Sequence, residues 1–404
     1  MSSAEPHLAT AAALPPLSTE VAAVREGAGQ PEGLRSVCVL CCRSDVEGGL
    51  QGVPEEWRPL FEVLESRGMR VHMVDWEELA RRGDPARGCD LVLPLLAWDY
   101  SERPLAFRHL VQQLVQAHCE PQADLRAIEW VMHKRYLVEL AEVGVPVVPT
   151  RLLCRRADVM ALHAAMESLG GQCRERTSGR RVYVSKPAIG SRGDDVELLV
   201  EGDSAAESLL VEALQTRDFL LQPFLGDVRR EGEICVVFVN GEILHSVLKD
   251  PAGWGSSTSS AEEPRRSSCQ DGTIPHNEPA GRNPVQHPSP NQPVHLLDPI
   301  PPAALAAAEQ TMAFLQARFA AESTAGTVFI ARVDLLPLAR NEWLVSEIEP
   351  GWGNLFLRAR SDAAAVVATA LEQHIRSHKS VCGRKGYKRL ETAKRRSGSR
   401  RQKQ

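Results

Sequence analysis

Three carboxylates in the last third of the chain have a spacing suited to binding a hard cation. Asp334 lies inside the apolar run FIARVDLLPL, where an unpaired carboxylate would cost several kcal/mol. Glu347 and Glu349 alternate in the next run, EWLVSEIEP, so both face one side of a strand. Crowded carboxylates repel unless a cation separates them. We therefore predict that the three bind Mg²⁺, a cation that takes few carboxylates together with substrate phosphates. A solvated sheet face is the alternative for the two glutamates, but it does not explain Asp334.

A lysine followed by small residues forms a second chemical feature. Lys186 ends the β-prone run VYVSK, and the loop AIGSRG follows at residues 188–193. Gly190, Ser191 and Gly193 in this loop would let backbone N–H groups approach phosphate oxygens, while the lysine supplies a point charge. The pattern is not a Walker A motif, because no Gly-Lys-Ser/Thr follows at the required spacing. An ordinary hairpin turn is the alternative.

Two further segments favour a nucleotide site. DFLLQPFLGD (218–227) predicts an apolar strand ending at Gln222 and Pro223, where the proline leaves an edge at which adenine could hydrogen-bond. A plain strand end is the alternative. EGEICVVFVNGEILHSVLK predicts a hairpin that turns at Asn240-Gly241, with Lys249 at the end of its second strand.

The first third of the chain alternates strands with amphipathic helices, which predicts a parallel, doubly wound sheet. The predicted strands are 36–42, 69–76 and 90–98, and the predicted helices are 55–68, 77–83 and 103–118. Ligands of such sheets bind at the carboxyl ends of the strands. Trp98, Asp99 and Tyr100 fall at one such end.

Length and composition limit the classes of protein. The 404 residues suffice for two or three domains, and the net charge of −5 gives no overall reason to expect nucleic acid. No apolar run approaches the ~20 residues needed to cross a bilayer. With no export signal, the ten cysteines predict reduced thiols and a cytoplasmic protein. Cys38, Cys41 and Cys42 allow a zinc or redox interpretation, but no second Cys/His pair follows, and buried cysteines in a core strand are favoured.

Three segments have compositions typical of disorder. They are the Ala/Pro/Ser/Gly-rich leader 1–34, the polar insertion 253–293 and the basic tail 376–404. The insertion is either a lid or simply disordered. The tail is either a solvated terminus, which we favour, or a nuclear address or docking site for nucleic acid or protein.

The ordered motifs resemble the ATP-grasp superfamily, in the branch of bacterial cyclo-ligases and glutathione-synthetase-like enzymes. They are AWDYSERPLAF, EWVMHKRYLVELAEVGVPVVPT, SKPAIGSRG, LLQPFL, GEICVVFVNGEILHSVLK and RVD…SEIEP, spread over about residues 36–375. The resemblance implies an α/β N-terminal (pre-ATP-grasp) substrate domain at 35–121, followed by a two-lobed α+β ATP-grasp domain at 122–375. Both termini remain disordered in this arrangement.

The resemblance also implies roles for single residues. Lys134 and Lys186 look like the lysines that contact ATP phosphates and adenine, and Gln222, Pro223, Phe224 and Leu225 like the hinge that holds adenine. Glu233 stands near the expected ribose. Lys249 resembles the cation facing the transferred phosphate, and Arg332 the one that holds the acyl phosphate. Asp334, Glu347 and Glu349 fall on Mg²⁺ positions, and Trp98, Asp99, Tyr100 and Arg103 look like substrate-side residues.

The chain also departs from its relatives. Glu349 stands where many of them carry Asn, and Cys235 interrupts a Gly-Glu-x-Ser pattern. The segment after Lys249 is expanded, with Arg265 or Arg266 as a candidate substrate-contacting arginine.

The implied activity is that of an ATP- and Mg²⁺-dependent carboxylate–amine ligase. It would form an amide through an acyl phosphate, releasing ADP and phosphate, with an amino acid or other small carboxylate as substrate. One alternative is a catalytically inactive nucleotide-binding protein whose disordered arms recruit partners. Another is a ligase for a protein or nucleic-acid-associated substrate recruited by the basic tail, which salt-sensitive binding would reveal.

Overall fold

The structure is a computed structural model that describes residues 35–47, 53–82, 89–191, 193–250, 294–319, 321, 327–339 and 341–377. The predicted leader 1–34 and insertion 253–293, with Arg265 and Arg266, lie outside the described residues, as does the tail beyond residue 377. Within the described part of the chain, no helix combines the length and the apolar character needed to span a membrane.

The N-terminal part is the predicted parallel sheet. Its strands pair in the order β2-β1-β3, both pairs parallel, and helices connect them. The elements are β1 (Arg35–Cys41), α1 (Arg43–Glu47), α2 (Arg58–Ser66), β2 (Met69–Asp75), α3 (Trp76–Arg82), β3 (Leu91–Leu96) and α4 (Pro104–Gln116). Trp76, predicted to end a strand, instead begins α3, where its ring is buried against Phe107 at 5.1 Å between centroids.

The cysteines of β1, and Cys42 directly after it, are buried core residues, as the favoured interpretation predicted. The Cys41 thiol donates to the Val74 carbonyl at 3.4 Å, and the Cys42 thiol donates to the Leu96 carbonyl at 3.3 Å. Burial raises the pKa of Cys42 to about 12. Both thiols therefore serve as buried donors to neighbouring strands of the core.

A break between two short helices follows the first sheet. Helix α5 (Gln122–Val131) and helix α6 (Tyr136–Glu142) are separate, and Lys134 lies in the gap between them. The Lys134 N–H donates to the Ala188 carbonyl at 2.7 Å, a partner outside the helix. The break therefore turns the Lys134 backbone toward the predicted phosphate loop.

The second sheet has the order β4-β8-β6-β5, with β7 paired to β6. Its elements are β4 (Arg151–Leu153), α7 (Val159–Leu169), β5 (Arg176–Thr177), β6 (Arg180–Pro187), β7 (Glu197–Val200), α8 (Ser204–Ala213) and β8 (Phe219–Pro223). The predicted edge at Gln222 and Pro223 agrees with the pairing of β8, which lies between β4 and β6 but pairs with β4 only as far as Leu221. Only the part of β8 beyond Leu221 lacks a β4 partner.

The third sheet carries most of the predicted charged residues. Its order is β11-β10-β9-β12-β13, and every pair is antiparallel. After α9 (Val228–Glu231), the elements are β9 (Glu233–Val239), β10 (Glu242–Lys249), β11 (Val294–Leu296), α10 (Pro302–Phe319), β12 (Ile330–Ala339), β13 (Glu342–Pro350) and α11 (363–377). The β-branched sequence EICVVFV suits β9, which is buried along its whole length in the interior of the sheet.

Two local predictions about this sheet can be checked directly. Asn240 and Gly241 have φ values of 54° and 83°, the positive pair that a type I′ turn requires, so the predicted hairpin is confirmed. The predicted start of the tail at Arg376 overlaps helix α11, which is described as far as residue 377. Arg376 pairs with Glu372 one turn earlier, at 3.1 Å, which extends the helix.

Candidate active site

One cavity of about 430 Å³ brings together residues from the first sheet and both later sheets. Seventeen of the nineteen predicted site residues line it. They are Trp98, Tyr100, Lys134, Lys186, Gly190, Ser191, Gly193, Gln222, Pro223, Phe224, Leu225, Glu233, Lys249, Arg332, Asp334, Glu347 and Glu349. Asp99 and Arg103 are the two that do not line it.

Asp334 is held by cations of the chain itself. Both of its oxygens accept hydrogen bonds from Arg332, two residues earlier on β12, each at 2.7 Å, and the Lys249 Nζ lies 3.9 Å away. Burial opposes ionisation of Asp334, but the two cations outweigh it and lower the pKa of Asp334 to about 2. The buried carboxylate is therefore ionised, and it has a partner before any metal is considered.

The two glutamates of β13 face the same cavity from positions opposite β12. Glu347 is the cross-strand partner of Asp334, and Glu349 is that of Arg332. Glu347 lies 2.8 Å from the Lys134 Nζ, and Glu349 lies 2.8 Å from an Arg332 nitrogen. Burial opposes ionisation of Glu347, but Lys134 and Lys186 outweigh it and lower the pKa of Glu347.

Glu349 is the less satisfied of the two. Its contact with Arg332 lacks hydrogen-bond geometry, so the buried Oε2 accepts no hydrogen bond from the described residues. Burial raises the pKa of Glu349 to about 7. A buried carboxylate oxygen without a donor, beside two further carboxylates, is the kind of oxygen ligand that suits Mg²⁺.

A second acidic group lies at the end of the β9–β10 hairpin. The ligand atoms of Glu233, Cys235 and Asp334 lie within 4.8 Å of one another, a spacing that could hold a metal ion. The Lys249 ammonium is already there, 3.0 Å from Glu233. We therefore regard this group as an anchor for Lys249 rather than as a metal site.

The predicted phosphate loop contacts the first domain as well as Lys134. The Lys134 Nζ donates to the Gly190 carbonyl at 2.8 Å, and the Tyr100 hydroxyl approaches the same carbonyl at 3.3 Å. The Ser191 hydroxyl donates to the Trp98 carbonyl at 2.7 Å. Burial lowers the pKa of Lys186, which precedes the loop, to about 8.

The predicted adenine hinge forms another wall of the cavity. The Gln222 amide donates to the Thr150 hydroxyl at 2.8 Å, which fixes a buried side chain. The Phe224 N–H donates to the Val182 carbonyl at 3.0 Å. Val148, Val184, Leu336 and Ile348 also line the cavity. Apolar walls beside a strand end can enclose a flat base.

Asp99 and Arg103 serve the packing of the first domain instead of lining the cavity. Asp99 accepts a hydrogen bond from the Trp76 indole at 2.6 Å. Arg103 pairs with Glu77 at 3.0 Å, and its side chain is 64% exposed. Both residues follow the strand end that the sequence identified, but the 3₁₀ turn at Trp98–Glu102 points only some of its side chains toward the cavity.

The sequence reasoning missed a group of residues that directly follows β13. Trp352, Asn354 and Phe356 all line the cavity, and the Asn354 carbonyl accepts a hydrogen bond from Arg332 at 2.8 Å. Trp352 stacks on Tyr100 with ring centroids 4.6 Å apart. The segment GWGNLF immediately after the two glutamates could have indicated a loop at the same sheet edge.

A family model and a relative of known name each match part of the chain. The family model for the D-cycloserine synthetase DcsG N-terminal domain matches residues 37–120. The cycloserine biosynthesis protein DcsG of Streptomyces lavendulae is 28% identical over 196 residues. That alignment covers 47% of this chain and 61% of the relative, so it spans less than two thirds of the relative's length.

Solved structures match over most of the chain. The D-cycloserine synthetase DcsG structure has a TM-score of 0.64 at 21% identity and covers 84% of this chain and 99% of its own. The D-alanine–D-alanine ligase of Bacillus anthracis with ATP has a TM-score of 0.51 at 14% identity and covers 87% and 99%. The ATP-grasp RimK domain protein of Sphaerobacter thermophilus has a TM-score of 0.50 at 16% identity and covers 83% and 98%. These likenesses show that the chain has the ATP-grasp fold that the ordered motifs predict.

Proposed function

We propose that this chain is an ATP-dependent carboxylate–amine ligase that forms an amide through an acyl phosphate and releases ADP and phosphate. The observation that carries the proposal is the composition of the cavity. One concave site gathers the cations Lys134, Lys186, Lys249 and Arg332 with the carboxylates Asp334, Glu347 and Glu349. Alternating positive and negative groups in one buried site suit a polyphosphate better than a neutral ligand.

The residues of the cavity have two proposed roles, binding the nucleotide and stabilising the reacting groups. Lys134, Lys186 and the loop at 190–193 hold the phosphates, and the Gln222–Leu225 wall positions adenine. Lys249 and Arg332 face the reacting end, where they offset charge as a substrate carboxylate oxygen attacks the γ-phosphorus and the bond to ADP breaks. An amine then attacks the acyl carbon and phosphate leaves. The first-domain wall of Trp98 and Tyr100 excludes water from an intermediate that hydrolyses readily.

Mg²⁺ fits the carboxylates of this site. Asp334, Glu347 and Glu349 would hold it, and it would supply positive charge that neutralises the phosphates. The Glu349 Oε2 supports this assignment, because it accepts no hydrogen bond although it lies 2.8 Å from an Arg332 nitrogen. Because Lys134 and Arg332 already contact these carboxylates, we expect Mg²⁺ alone to bind weakly and to enter with the nucleotide, whose phosphates give the two cations new partners.

The test is Mg²⁺-dependent ADP release from the purified chain, with pooled small carboxylates and hydroxylamine as a generic amine. Wild type is compared with Glu347→Gln and with Glu342→Gln, a change on the same strand at a side chain that is 58% exposed. We expect hydroxamate and ADP together in wild type and in the control, and neither in Glu347→Gln. Failure of ATP to bind wild type would refute the proposal.

A second candidate is a nucleotide-binding protein without ligase activity. One observation favours it: Arg332, the residue assigned to the acyl phosphate, already contacts Asp334, Glu349 and the Asn354 carbonyl. A guanidinium engaged in this way has little capacity left for a substrate. Tight ATP binding with no turnover across a broad set of carboxylates and amines would support this candidate over the ligase.

A further inference from the structure

His245 is a buried histidine on the sheet face that carries the reacting end of the cavity. In the register of the third sheet, His245 lies opposite Val237, and Val237 lies opposite Arg332. Directly opposite residues of neighbouring strands share one face of a sheet, so His245 and Arg332 belong to the same face. His245 does not line the cavity itself. Any effect of this histidine on the reaction must therefore pass through the groups that it contacts.

The hydrogen bond of His245 goes to the loop that follows β13. The His245 Nε2 donates to the Leu355 carbonyl at 2.9 Å, and both side chains are buried. Nε2 must carry the hydrogen, because a carbonyl oxygen only accepts. The other ring nitrogen, Nδ1, is buried and has no partner among the described residues. Burial lowers the pKa of His245, so the ring acts as a neutral donor to the loop.

The peptide unit between Leu355 and Phe356 is held at both of its polar groups. Its carbonyl accepts from His245, and its N–H donates to the Asn354 Oδ1 at 2.8 Å. Because the peptide is planar, these two bonds fix its orientation and with it the φ of Phe356. That φ is 50°, in the left-handed region, which is strained for a bulky side chain and persists only where the surroundings impose it.

The strained conformation directs the Phe356 ring to the two cations assigned to the reacting end. The ring centroid lies 5.5 Å from the Arg332 guanidinium carbon and 5.9 Å from the Lys249 Nζ. Cation–π attraction acts within about 6 Å of a ring centroid, and it strengthens where water is excluded. Phe356 is itself buried, so its ring covers these cations with apolar surface. A different φ at Phe356 would move the ring away from them.

We propose that His245 is a positioning residue for the reacting end: with Asn354 it clamps the peptide before Phe356, so that the aromatic ring keeps water away from the two cations. The inference rests on the proposed ligase function, whose acyl phosphate is sensitive to water. Water that attacks the acyl phosphate releases phosphate and regenerates the substrate carboxylate. ATP is then consumed, and no amide forms.

The first measurement is hydrogen–deuterium exchange of residues 351–358 in the full chain without substrate. Wild type is compared with His245→Leu, which removes the donor, and with His245→Gln, whose amide can donate from a similar position. Ser246→Ala is the matched control, because Ser246 is the next residue on β10, is buried, and donates to the Leu297 carbonyl instead of to the loop. We expect exchange to become several-fold faster in His245→Leu and to stay near wild type in the other two variants.

The second measurement is the ratio of ADP released to hydroxamate formed in the assay described above. This ratio should rise several-fold in His245→Leu and return toward the wild-type ratio in His245→Gln. A histidine that only stabilises the fold would lower both products together and leave the ratio unchanged. Asn354→Ala, which removes the acceptor of the Phe356 N–H, should reproduce both changes and replaces His245→Leu if that variant does not fold.

The two measurements can fail separately. Exchange in His245→Leu as slow as in Ser246→Ala would overturn the clamp, and an unchanged product ratio together with faster exchange would overturn the exclusion of water. Absence of hydroxamate from wild type would instead refute the ligase function and the role of the ring in it. Hydrogen exchange needs no turnover, so it decides the clamp in either case.

Discussion

Replacing Asp334 with Asn separates the structural role of this carboxylate from its proposed role toward Mg²⁺. Both Asp334 oxygens accept from Arg332 at 2.7 Å in a buried setting. Asn keeps one acceptor and presents an amino group to the guanidinium. Removing one partner of a buried ion pair typically costs ~3–5 kcal/mol. Because Glu349 remains beside Arg332 at 2.8 Å, we expect a loss near the lower limit, about 3 kcal/mol, in the free energy of unfolding without ligand.

The control is a surface pair with the same residue types and spacing. Arg360 and Asp362 also form two hydrogen bonds, at 2.5 and 2.9 Å, but both side chains are exposed. Exposed pairs contribute little because water screens them. We expect Asp362→Asn to leave the unfolding midpoint unchanged, while Asp334→Asn lowers it by several degrees. Equal midpoints for Asp334→Asn and wild type would refute the burial argument.

Ligand-induced stabilisation then tests the second role. Saturating Mg²⁺ and a non-hydrolysable ATP analogue should stabilise wild type by about 2.7 kcal/mol when the free ligand is 100 times Kd. The Asp334→Asn variant should gain much less, because a neutral amide is a poorer ligand for Mg²⁺ than a carboxylate. An unchanged gain would refute the assignment of Asp334 to Mg²⁺, whatever the result for the free chain.

Three further changes test the buried core and other parts of the site. Burial raises the pKa of Asp124 from its ordinary 3.8 to about 7, so the folded chain holds a proton that the unfolded chain has released between those values. The free energy of unfolding of wild type should therefore fall with rising pH in that window. Measured by urea titration, the difference between the unfolding free energies of wild type and Asp124→Asn should shrink by about 3 kcal/mol between pH 5 and pH 8. Gly353→Ala would place a Cβ 1.7 Å from the Glu349 Oε2. The control is Gly144→Ala, which has a similar positive φ and therefore similar backbone strain, but whose Cβ meets no atom within 4 Å. Only Gly353→Ala should weaken Mg·ATP binding measured by calorimetry. Cys235→Ser should keep nucleotide affinity and Cys235→Val should reduce it, because the Cys235 sulfur lies within 4.8 Å of an oxygen of Asp334 and a hydroxyl, unlike a methyl group, can still donate to it.

The sequence predicted best those features that depend on local patterns. The Asn240-Gly241 turn, the alternating strands and helices of the first domain and the apolar strands around Asp334 all follow from spacing and residue type. The ordered motifs predicted nineteen residues for one site, and seventeen of these residues line one cavity.

Features that depend on distant partners were not predictable in the same way. Asp334 was expected to need a metal because no single sequence reveals that Arg332 folds back onto it. Nothing near Gln222 in the sequence shows that β4 pairs beside the first part of β8. Asp99 and Arg103 were assigned to the cavity by position alone, and the 3₁₀ turn directs them to Trp76 and Glu77 instead.

The contacts between the phosphate loop and the first domain have a consequence for engineering new specificity. Ser191 is joined to the Trp98 carbonyl and lies 3.1 Å from the Ser101 hydroxyl, so the loop depends on a turn that belongs to another domain. A chimaera that borrows the first domain of a relative would exchange the substrate wall and one support of the loop in a single step. Transplants that retain the WDYS segment of this chain should therefore preserve nucleotide handling more often than exchanges of the whole domain.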